Sequence, residues 1–384
     1  MPYSRFATVP ACQHKPGAPE PPGRTTIERP SESPAGPLPA PRATPDHETP
    51  VKSSENRPRP TGAGVGPIEI LFNPRSGAHD QAQAHACIAA VLAASGRDYR
   101  FVPIERPEAI GKLARSLGER ARECDGAVVA AGGDGTINAV VQGLLGTDCR
   151  FGVLPMGTFN YVARNHRIPL ALDAATRVLI EGETVPLQVG RVNDRIFLVN
   201  ASLGLYPRLL EQREQAKRRF GRSRLVALLS ALITLLAQRG RLRLQLHVEG
   251  IRDDVETSTL FVGNNRLQLE QVGMVEAASI DHGLLAALHL KPIDRLGLLA
   301  LAFRGSLGLL GDAREVTSFA FREMSVSQPR RRPFRRRPPR IKVATDGETG
   351  WMSMPLQFAV VPEPVFLLGP TVDAEDGRAE SRDG

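Results

Sequence analysis

From residue 67 onward, apolar residues form two kinds of run, short continuous stretches and longer stretches with helical spacing. The short runs predict buried β-strands, and they lie at residues 68–72, 100–104, 126–130 and 151–155. The longer runs predict helices, and they lie at residues 81–94, 108–123 and 139–145. Because strands alternate with helices, this part of the chain predicts a parallel sheet covered on both faces, a three-layer α/β arrangement.

After about residue 186 the pattern changes to short strands separated by turns. Residues 187–191 and 195–199 flank Asn193-Asp194 and predict a hairpin. Residues 225–238 predict a helix with one apolar face. Six more strands are predicted, at residues 242–248, 257–262, 285–290, 317–322, 340–344 and 356–361. Many short strands with turns between them predict a mostly antiparallel β-sandwich.

This pattern divides the chain of 384 residues into four parts. Residues 1–66 are rich in Pro, Gly, Ser, Thr and charged residues, and they cannot bury enough apolar surface to fold, so we expect disorder. An α/β domain is expected at residues 67–165 and a β-sandwich domain at residues 166–369. The acidic tail, residues 370–384, should be mobile.

Positive charge is concentrated in an arginine-rich insert at residues 329–340, within a chain of net charge +8. Prolines keep this insert out of a helix or central strand. A solvated loop and contact with an anionic membrane surface both remain open. Nucleic-acid binding is not expected, because Phe334 is the only aromatic residue in the insert.

No segment of the sequence predicts a membrane span or a disulfide framework. The longest apolar run, residues 225–237, is broken by Ser230 and Thr234 and is too short to cross a bilayer. The four cysteines are scattered, which favours a reducing compartment. We therefore expect a cytoplasmic protein, soluble or peripheral on the inner face of the membrane, and the sequence leaves its oligomeric state open.

The glycine-rich segment at residues 131–138 connects the third predicted strand to a helix. Glycines let backbone N–H groups approach an anion, and the new helix directs its positive end toward the same point. Asp134 would repel a bare phosphate, so we expect it to meet Mg²⁺ or a ribose hydroxyl; its alternative role is that of a helix N-cap. The segment predicts nucleotide chemistry.

Two other segments, residues 73–77 and 155–160, also follow predicted strands and suit phosphate binding. One glycine turn alone is weak support, since many are merely tight turns. The carboxyl ends of parallel strands meet at one edge of a sheet, so three such segments predict a common ligand site there.

Together these segments resemble the catalytic domain of the diacylglycerol kinase family. The resemblance rests on Gly-Gly-Asp-Gly-Thr with Asn138 two residues on, on the stretch 154–164, and on Asn-Pro-Arg-Ser-Gly at 73–77. Later segments also fit in order, at residues 200–204, 262–265 and 345–348. Bacterial soluble lipid kinases are most similar, sphingosine and ceramide kinases share the domain, and NAD kinases are more distant.

The resemblance implies an ATP-dependent lipid kinase that phosphorylates a hydroxyl of diacylglycerol or a related lipid, with Mg²⁺. It places the nucleotide between the two domains. The residues expected to contact it are Asn73, Pro74, Arg75, Ser76, Gly77, Gly132, Gly133, Asp134, Gly135, Thr136, Ile137, Asn138, Gly157, Thr158 and Asn160. Asp134 would hold Mg²⁺ directly or through water.

The resemblance also assigns acid–base chemistry to Asp346-Gly347-Glu348, with Glu348 as the proton acceptor and Asp346 beside it. A hydroxyl that attacks a terminal phosphate needs orientation, a base and neutralisation of charge. The alternative is a surface hairpin turn, because Asp-Gly is a favoured turn dipeptide.

One segment departs from the family. Where the family often has Asp-Asp-Gly-Leu and a structural Mg²⁺, this chain has Asp281-His282-Gly283-Leu284. An imidazole is a poor ligand for Mg²⁺, so this metal is expected to be absent or to be held by Asp281 instead.

Two other functions stay open on the sequence. One is an NAD-kinase-like phosphotransferase that uses the same glycine turn. The other is a non-catalytic nucleotide-binding or nucleic-acid-associated protein, which would bind nucleotide without turnover.

Overall fold

The computed structural model describes residues 60–73, 81–204, 241–292, 297, 315–329 and 338–371. Several predicted features lie outside these residues: residues 1–59, Pro74, Arg75, Ser76 and Gly77 of the first turn, the helix at 225–238, residues 330–337 of the arginine-rich insert, and the tail from residue 372. The described strands form three six-stranded sheets, here named A, B and C.

Sheet A combines strands from both ends of the described chain. Its strands are β1 (Ile68–Phe72), β2 (Tyr99–Pro103), β3 (Ala127–Gly132), β4 (Arg150–Pro155), β5 (Glu183–Leu187) and β18 (Val365–Gly369). Their spatial order is β2-β1-β3-β4-β18-β5, and only β5 runs antiparallel to its neighbour. All residues of β3 and β4 are buried, as expected for parallel strands covered on both faces.

Five helices accompany sheet A: α1 (Gln81–Ala94), α2 (Ile110–Glu123), α3 (Asp134–Leu144), α4 (Tyr161–Asn165) and α5 (Leu172–Glu181). Helix α1 packs against α5, and α2 packs against α3. Right-handed crossovers place α1 on one face of the sheet and α2 with α3 on the other. In α1, Ala84, Ile88 and Leu92 recur every four residues and are buried, so this row of side chains forms the face that packs on the protein.

Sheets B and C form the antiparallel part of the molecule. Sheet B has the order β10-β9-β14-β17-β6-β7. Its strands are β6 (Gly190–Val192), β7 (Arg195–Phe197), β9 (Leu242–Val248), β10 (Ile251–Thr257), β14 (Glu323–Ser327) and β17 (Leu356–Val360). Strands β6 and β7 form the hairpin that the sequence predicts around Asn193.

Sheet C has the order β13-β12-β11-β8-β15-β16. Its strands are β8 (Asn200–Gly204), β11 (Thr259–Gly263), β12 (Leu285–Leu290), β13 (Val316–Phe321), β15 (Arg340–Thr345) and β16 (Glu348–Ser353). Phe197, Phe321 and Phe358 are among the fully buried residues of the core that both sheets share. Helix α6 (Arg266–Gln271) and a 3₁₀ segment (Val275–His282) pack over β12.

The structure has the expected parallel α/β sheet and antiparallel β-sheets. The boundary between these two parts, however, lies elsewhere in the chain than the sequence pattern predicts. The sequence ends the α/β domain at residue 165, whereas α5, β5 and β18 all belong to sheet A or its covering layer. The reason is the apolar run at Val365–Gly369, which is fully buried between β4 and β5. The chain therefore returns to its first sheet at the end.

A second difference concerns residues 60–66, which the sequence assigns to the disordered segment. Two arginines bind their carbonyl groups: the Arg150 side chain donates to Thr61 and Gly62 at 2.8 and 3.0 Å, and Arg97 Nη1 donates to Gly64 at 2.7 Å. Since backbone carbonyls satisfy these guanidinium groups, the segment is fixed against the α/β part.

Candidate active site

The order of strands in sheet A marks the point where a ligand would bind. The chain passes from β1 outward to β2 on one side and then to β3 and β4 on the other. Neighbouring strands whose connections leave in opposite directions open a crevice at their carboxyl ends, and α/β proteins bind ligands there. In this chain the crevice lies between Asn73, after β1, and Gly133, after β3.

Asn73 fixes the first turn to the glycine turn. Its Nδ2 donates to Thr136 Oγ1 at 2.8 Å, and its backbone N–H donates to the carbonyl of Ala131 at 3.1 Å. Thr136 is buried and Ile137 is fully buried in the apolar core. The side chain of Ile137 therefore cannot contact a nucleotide, contrary to the sequence-based expectation, and Thr136 serves the packing of the turn.

Two glycine turns cross at the edge of the sheet with almost no space between them. A Cβ atom on Gly157 would lie 2.7 Å from the Cα atom of Gly133 and 2.8 Å from Asn160 Oδ1. A Cβ atom on Gly132 would lie 2.7 Å from the Cβ atom of Thr136. Only glycine fits at these positions, and the missing side chains leave the backbone of the turn open at the beginning of α3. This cradle fits phosphate groups.

Asn160 closes the second turn and does not extend into the crevice. Its Oδ1 accepts a hydrogen bond from the Gly157 N–H at 2.9 Å, and its Nδ2 donates to the Gly157 carbonyl at 3.0 Å. The residue is buried and has a left-handed backbone, with φ of 51°. Thr158 and Phe159, at the tip of the same turn, are exposed. Asn160 is thus a positioning residue, and Thr158 is free to meet a ligand.

Asp134 begins α3 but does not cap it, because the N-cap residue is Gly133. Asp134 Oδ1 instead accepts a hydrogen bond from the Val162 N–H, at the start of α4, at 3.2 Å. No described residue binds its other oxygen. The side chain is half-buried beside the glycine turn, where a free carboxylate oxygen suits Mg²⁺ bound to phosphates.

Glu348, distant in sequence, reaches the same place. Its Oε1 lies 3.8 Å from the position that a Cβ atom on Gly135 would occupy. The residue begins β16, directly after the turn at Asp346-Gly347, and it is exposed. The hairpin of β15 and β16 therefore brings a carboxylate to the beginning of α3.

Asp346 has a different environment from Glu348, although only one residue separates them. Four N–H groups donate to its two oxygens: those of Leu198, Val199 and Asn200, at 2.7, 2.9 and 2.9 Å, and Nδ2 of Asn138 at 2.7 Å. Burial raises the pKa of Asp346 above its usual value, and these donors oppose that effect. A carboxylate accepts about four hydrogen bonds in all, so these four N–H groups use the whole hydrogen-bonding capacity of Asp346.

Asn138 links the α/β part to the sandwich. Besides Asp346, its Nδ2 contacts the Ile196 carbonyl at 3.3 Å. One turn further along α3, Gln142 Oε1 accepts from the Ile196 N–H at 3.2 Å. The sequence assigns Asn138 to nucleotide contact, whereas the structure uses it to hold the hairpin against α3.

Arg195, at the start of β7, is a site residue that sequence reasoning missed. A Cβ atom on Gly350 would lie 3.2 Å from Arg195 Nη1, so the guanidinium group lies against this glycine. Gly350 and Glu348 are two residues apart on β16 and share a face, about 7 Å apart. Arg195 is exposed and has no ion-pair partner among the described residues. No sequence motif includes Arg195, and its position beside β16 follows only from the packing of sheet B against sheet C.

The segment at Asp281 does not fit a structural metal. The Asp281 carboxylate is paired with the Arg266 guanidinium group, and the Leu284 carbonyl accepts from Gln188 Nε2 at 3.0 Å. Cationic and N–H groups thus occupy the oxygens that a cation would need. In the described part of the chain, no three His, Cys, Asp or Glu side chains are grouped to hold a metal. Asp134 differs in this respect, because its second carboxylate oxygen has no partner among the described residues and phosphates would supply further oxygen ligands for Mg²⁺.

A separate cavity of about 390 Å³ lies behind α4. Its lining includes His166, Gln188, Asp281 and Glu363. Burial lowers the pKa of His166 to about 4.

Within the described residues, no helix is both long and apolar enough to cross a membrane.

Comparison with known proteins gives a match to one family model. Residues 67–192 match the model described as the diacylglycerol kinase catalytic domain. The chain is 32% identical over 183 residues to "Probable lipid kinase YegS" of Salmonella gallinarum, covering 46% of this chain and 60% of that protein. It is 32% identical over 137 residues to "Diacylglycerol kinase" of Staphylococcus aureus, covering 35% of this chain and 42% of that protein.

These matched segments span less than two thirds of either relative. A solved structure described as a diacylglycerol kinase from Bacillus anthracis superimposes with a TM-score of 0.57 at 16% identity. That superposition covers 80% of this chain and 97% of the solved one, so the two share a fold across both the α/β and the β parts.

Proposed function

We propose that this chain, which belongs to the diacylglycerol kinase catalytic-domain family through residues 67–192, transfers the terminal phosphoryl group of ATP to a hydroxyl of diacylglycerol or a related lipid. The observation that supports this most is the meeting of Glu348 with Gly135, 213 residues apart in the chain, at a glycine cradle suited to phosphates. A kinase needs such an arrangement, with a carboxylate beside the terminal phosphate.

Each residue of the site has a distinct task in this reaction. The backbone of the glycine turn and the beginning of α3 bind the phosphates and orient them. Asp134 would hold Mg²⁺, which neutralises charge on the phosphates when bound. Glu348 orients the acceptor hydroxyl and takes its proton on a carboxylate oxygen. The acceptor oxygen then bonds to the terminal phosphorus, and the bond from that phosphorus to the ADP oxygen breaks.

Asp346 and Arg195 support this step without accepting a proton. Asp346 binds backbone groups of residues 198–200 and the Asn138 side chain, and this holds the turn before Glu348 in place. Arg195 supplies a positive charge on the face of β16 that carries Glu348. A guanidinium group there stabilises negative charge that develops on the transferred phosphoryl group.

Phosphate transfer from ATP to a panel of acceptors, with Glu348→Gln beside the wild type, tests the proposal. We expect lipid phosphorylation by the wild type and a loss of about 10²–10⁴-fold in turnover for Glu348→Gln, the usual contribution of a general base. Nucleotide binding should be nearly unchanged, because the glycine cradle is intact. Glu323→Gln, an exposed glutamate at the start of another strand, is the matched control and should retain turnover.

Other outcomes would point to the competing functions. Phosphorylation of NAD but of no lipid would indicate an NAD-kinase-like enzyme. Nucleotide binding without transfer to any acceptor would indicate a non-catalytic protein. Full turnover in Glu348→Gln would remove this residue from the role of base.

A further inference from the structure

The outward face of the hairpin formed by β15 and β16 carries positive charge and an exposed indole ring. Strand β16 is the edge strand of sheet C. Lys342 pairs with Trp351, and Arg340 pairs with Ser353, so these four residues share one face. Their sequence neighbours Ile341, Val343 and Met352 lie on the other face, in the sandwich core. Among the described residues of these two strands, this face holds two cations and no acidic residue.

Trp351 is exposed over 58% of its surface, which is unusual for the largest apolar side chain. Lys342 Nζ lies 5.2 Å from the centre of the indole ring, and Arg340 Nη2 donates to the Trp351 carbonyl at 3.2 Å. Lys342 thus lies over the ring and Arg340 binds the backbone of the same residue, while more than half of the surface of Trp351 stays exposed. We name Arg340, Lys342 and Trp351 the Trp351 surface.

We propose that the Trp351 surface docks the protein on an anionic lipid bilayer. Tryptophan favours the boundary between lipid headgroups and hydrocarbon, because its ring is apolar and its N–H is polar. Arginine and lysine beside it keep their charges at the headgroups while their stems follow apolar surface. Anionic lipids complement a face with two cations and no carboxylate.

The chain contains one tryptophan, so its fluorescence reports on this surface alone. The full-length protein is titrated, without nucleotide, with vesicles of phosphatidylcholine or of phosphatidylcholine mixed with phosphatidylglycerol. We expect a blue shift with the anionic vesicles and none with phosphatidylcholine alone. Added salt should weaken the response, because screening reduces the attraction between the cations and the headgroups.

Variants then separate this surface from the remaining positive charge of the chain. In co-sedimentation with the anionic vesicles, Arg340→Gln and Lys342→Gln should each weaken binding about fivefold, the usual contribution of one charge. Trp351→Ala should weaken it further. Ile251→Ala and Arg252→Gln change an exposed apolar–basic pair on β10, the edge strand of sheet B, and should bind as the wild type does.

Three results would overturn the proposal: vesicle binding without a blue shift, equal binding by the Trp351 surface variants and the β10 controls, or a blue shift with single-stranded RNA and not with anionic vesicles. The proposed function fails on a different result. Phosphate transfer to a lipid acceptor in detergent micelles needs no docking on a bilayer. If the wild type transfers no phosphate in micelles, the proposed kinase activity is refuted, whereas vesicle binding through the Trp351 surface is unaffected.

Discussion

At the scale of single residues, burial changes the chemistry of His166, at the end of α4 beside the cavity. Loss of solvent lowers its pKa from 6.5 to about 4. Its Nε2 lies 3.5 Å from Nδ2 of Asn165, a donor, which suits a neutral ring. In the unfolded chain the same ring takes up a proton near pH 6.5. Between these two values the unfolded state binds more protons than the folded state, so stability falls as the pH falls.

This difference predicts the pH dependence of unfolding. The free energy of unfolding keeps the full contribution of the neutral His166 above about pH 6.5. As the pH falls toward 4, this contribution is lost progressively, and the free energy of unfolding decreases by about 3 kcal/mol. Urea unfolding at a series of pH values measures it, and His166→Gln should flatten this part of the profile. His282→Gln, at an exposed histidine, should leave the loss in place. A His166→Gln profile as steep as that of the wild type would contradict the prediction.

Residue-scale chemistry was only partly predictable from sequence. The motifs identify Asp346 and Glu348 as a pair, but they do not show that one carboxylate is saturated by four N–H groups and the other is exposed. Three of those donors come from residues 198–200, which no local pattern connects to the turn. Arg195 could not be predicted for the same reason. Its contact with Gly350 depends on how sheet B packs against sheet C, which no local sequence pattern shows.

At the scale of elements, β18 shows how one late strand completes the first sheet. Leu367 is fully buried; it pairs with Phe151 of β4 on one side and Val185 of β5 on the other. Without β18, sheet A would lose the connection between β4 and β5. The α/β part therefore depends on residues near the end of the described chain.

Leu367→Ala tests that dependence. We expect it to lower the free energy of unfolding by about 2–5 kcal/mol, because it leaves a cavity in the centre of a sheet covered by helices. Chemical denaturation followed by circular dichroism measures the change. Ile251→Ala removes a side chain that is 73% exposed and should change stability by no more than about 0.5 kcal/mol. Similar values for both variants would mean that β18 is not integral to the sheet.

Periodicity predicted those elements whose burial is visible in their own sequence. Helix α1 and strands β9 and β12 have the bounds that the sequence predicts, since each shows a clear apolar pattern. The sequence missed β10, whose Arg252, Asp253 and Asp254 are exposed because it lies at the edge of sheet B. It also missed β5, which contains Pro186 and pairs only with β18. Long-range pairing, and not local preference, forms these strands.

At the scale of the whole molecule, activity should depend on how firmly α3 holds the hairpin of the sandwich. Asn138 Nδ2 reaches both Ile196 and Asp346, so it joins the helix behind the phosphate cradle to the turn before Glu348. Asn138→Ala removes one of the four donors to Asp346 and frees that turn. The cradle itself is formed by Gly133 and Gly157 and should keep its affinity for nucleotide.

Steady-state kinetics of Asn138→Ala should show this as a fall in kcat with little change in the KM for ATP. A misplacement of the base by about 1 Å can cost as much as about 100-fold in rate. Gln142→Ala is the matched control, because it breaks a hydrogen bond between the same two elements without touching Asp346. Equal losses of turnover in both variants would contradict the prediction. They would mean that the contact of α3 with the sandwich as a whole, and not the hydrogen bond from Asn138 to Asp346, supports activity. A loss confined to Asn138→Ala would locate the coupling in the path from α3 through Asp346 to Glu348.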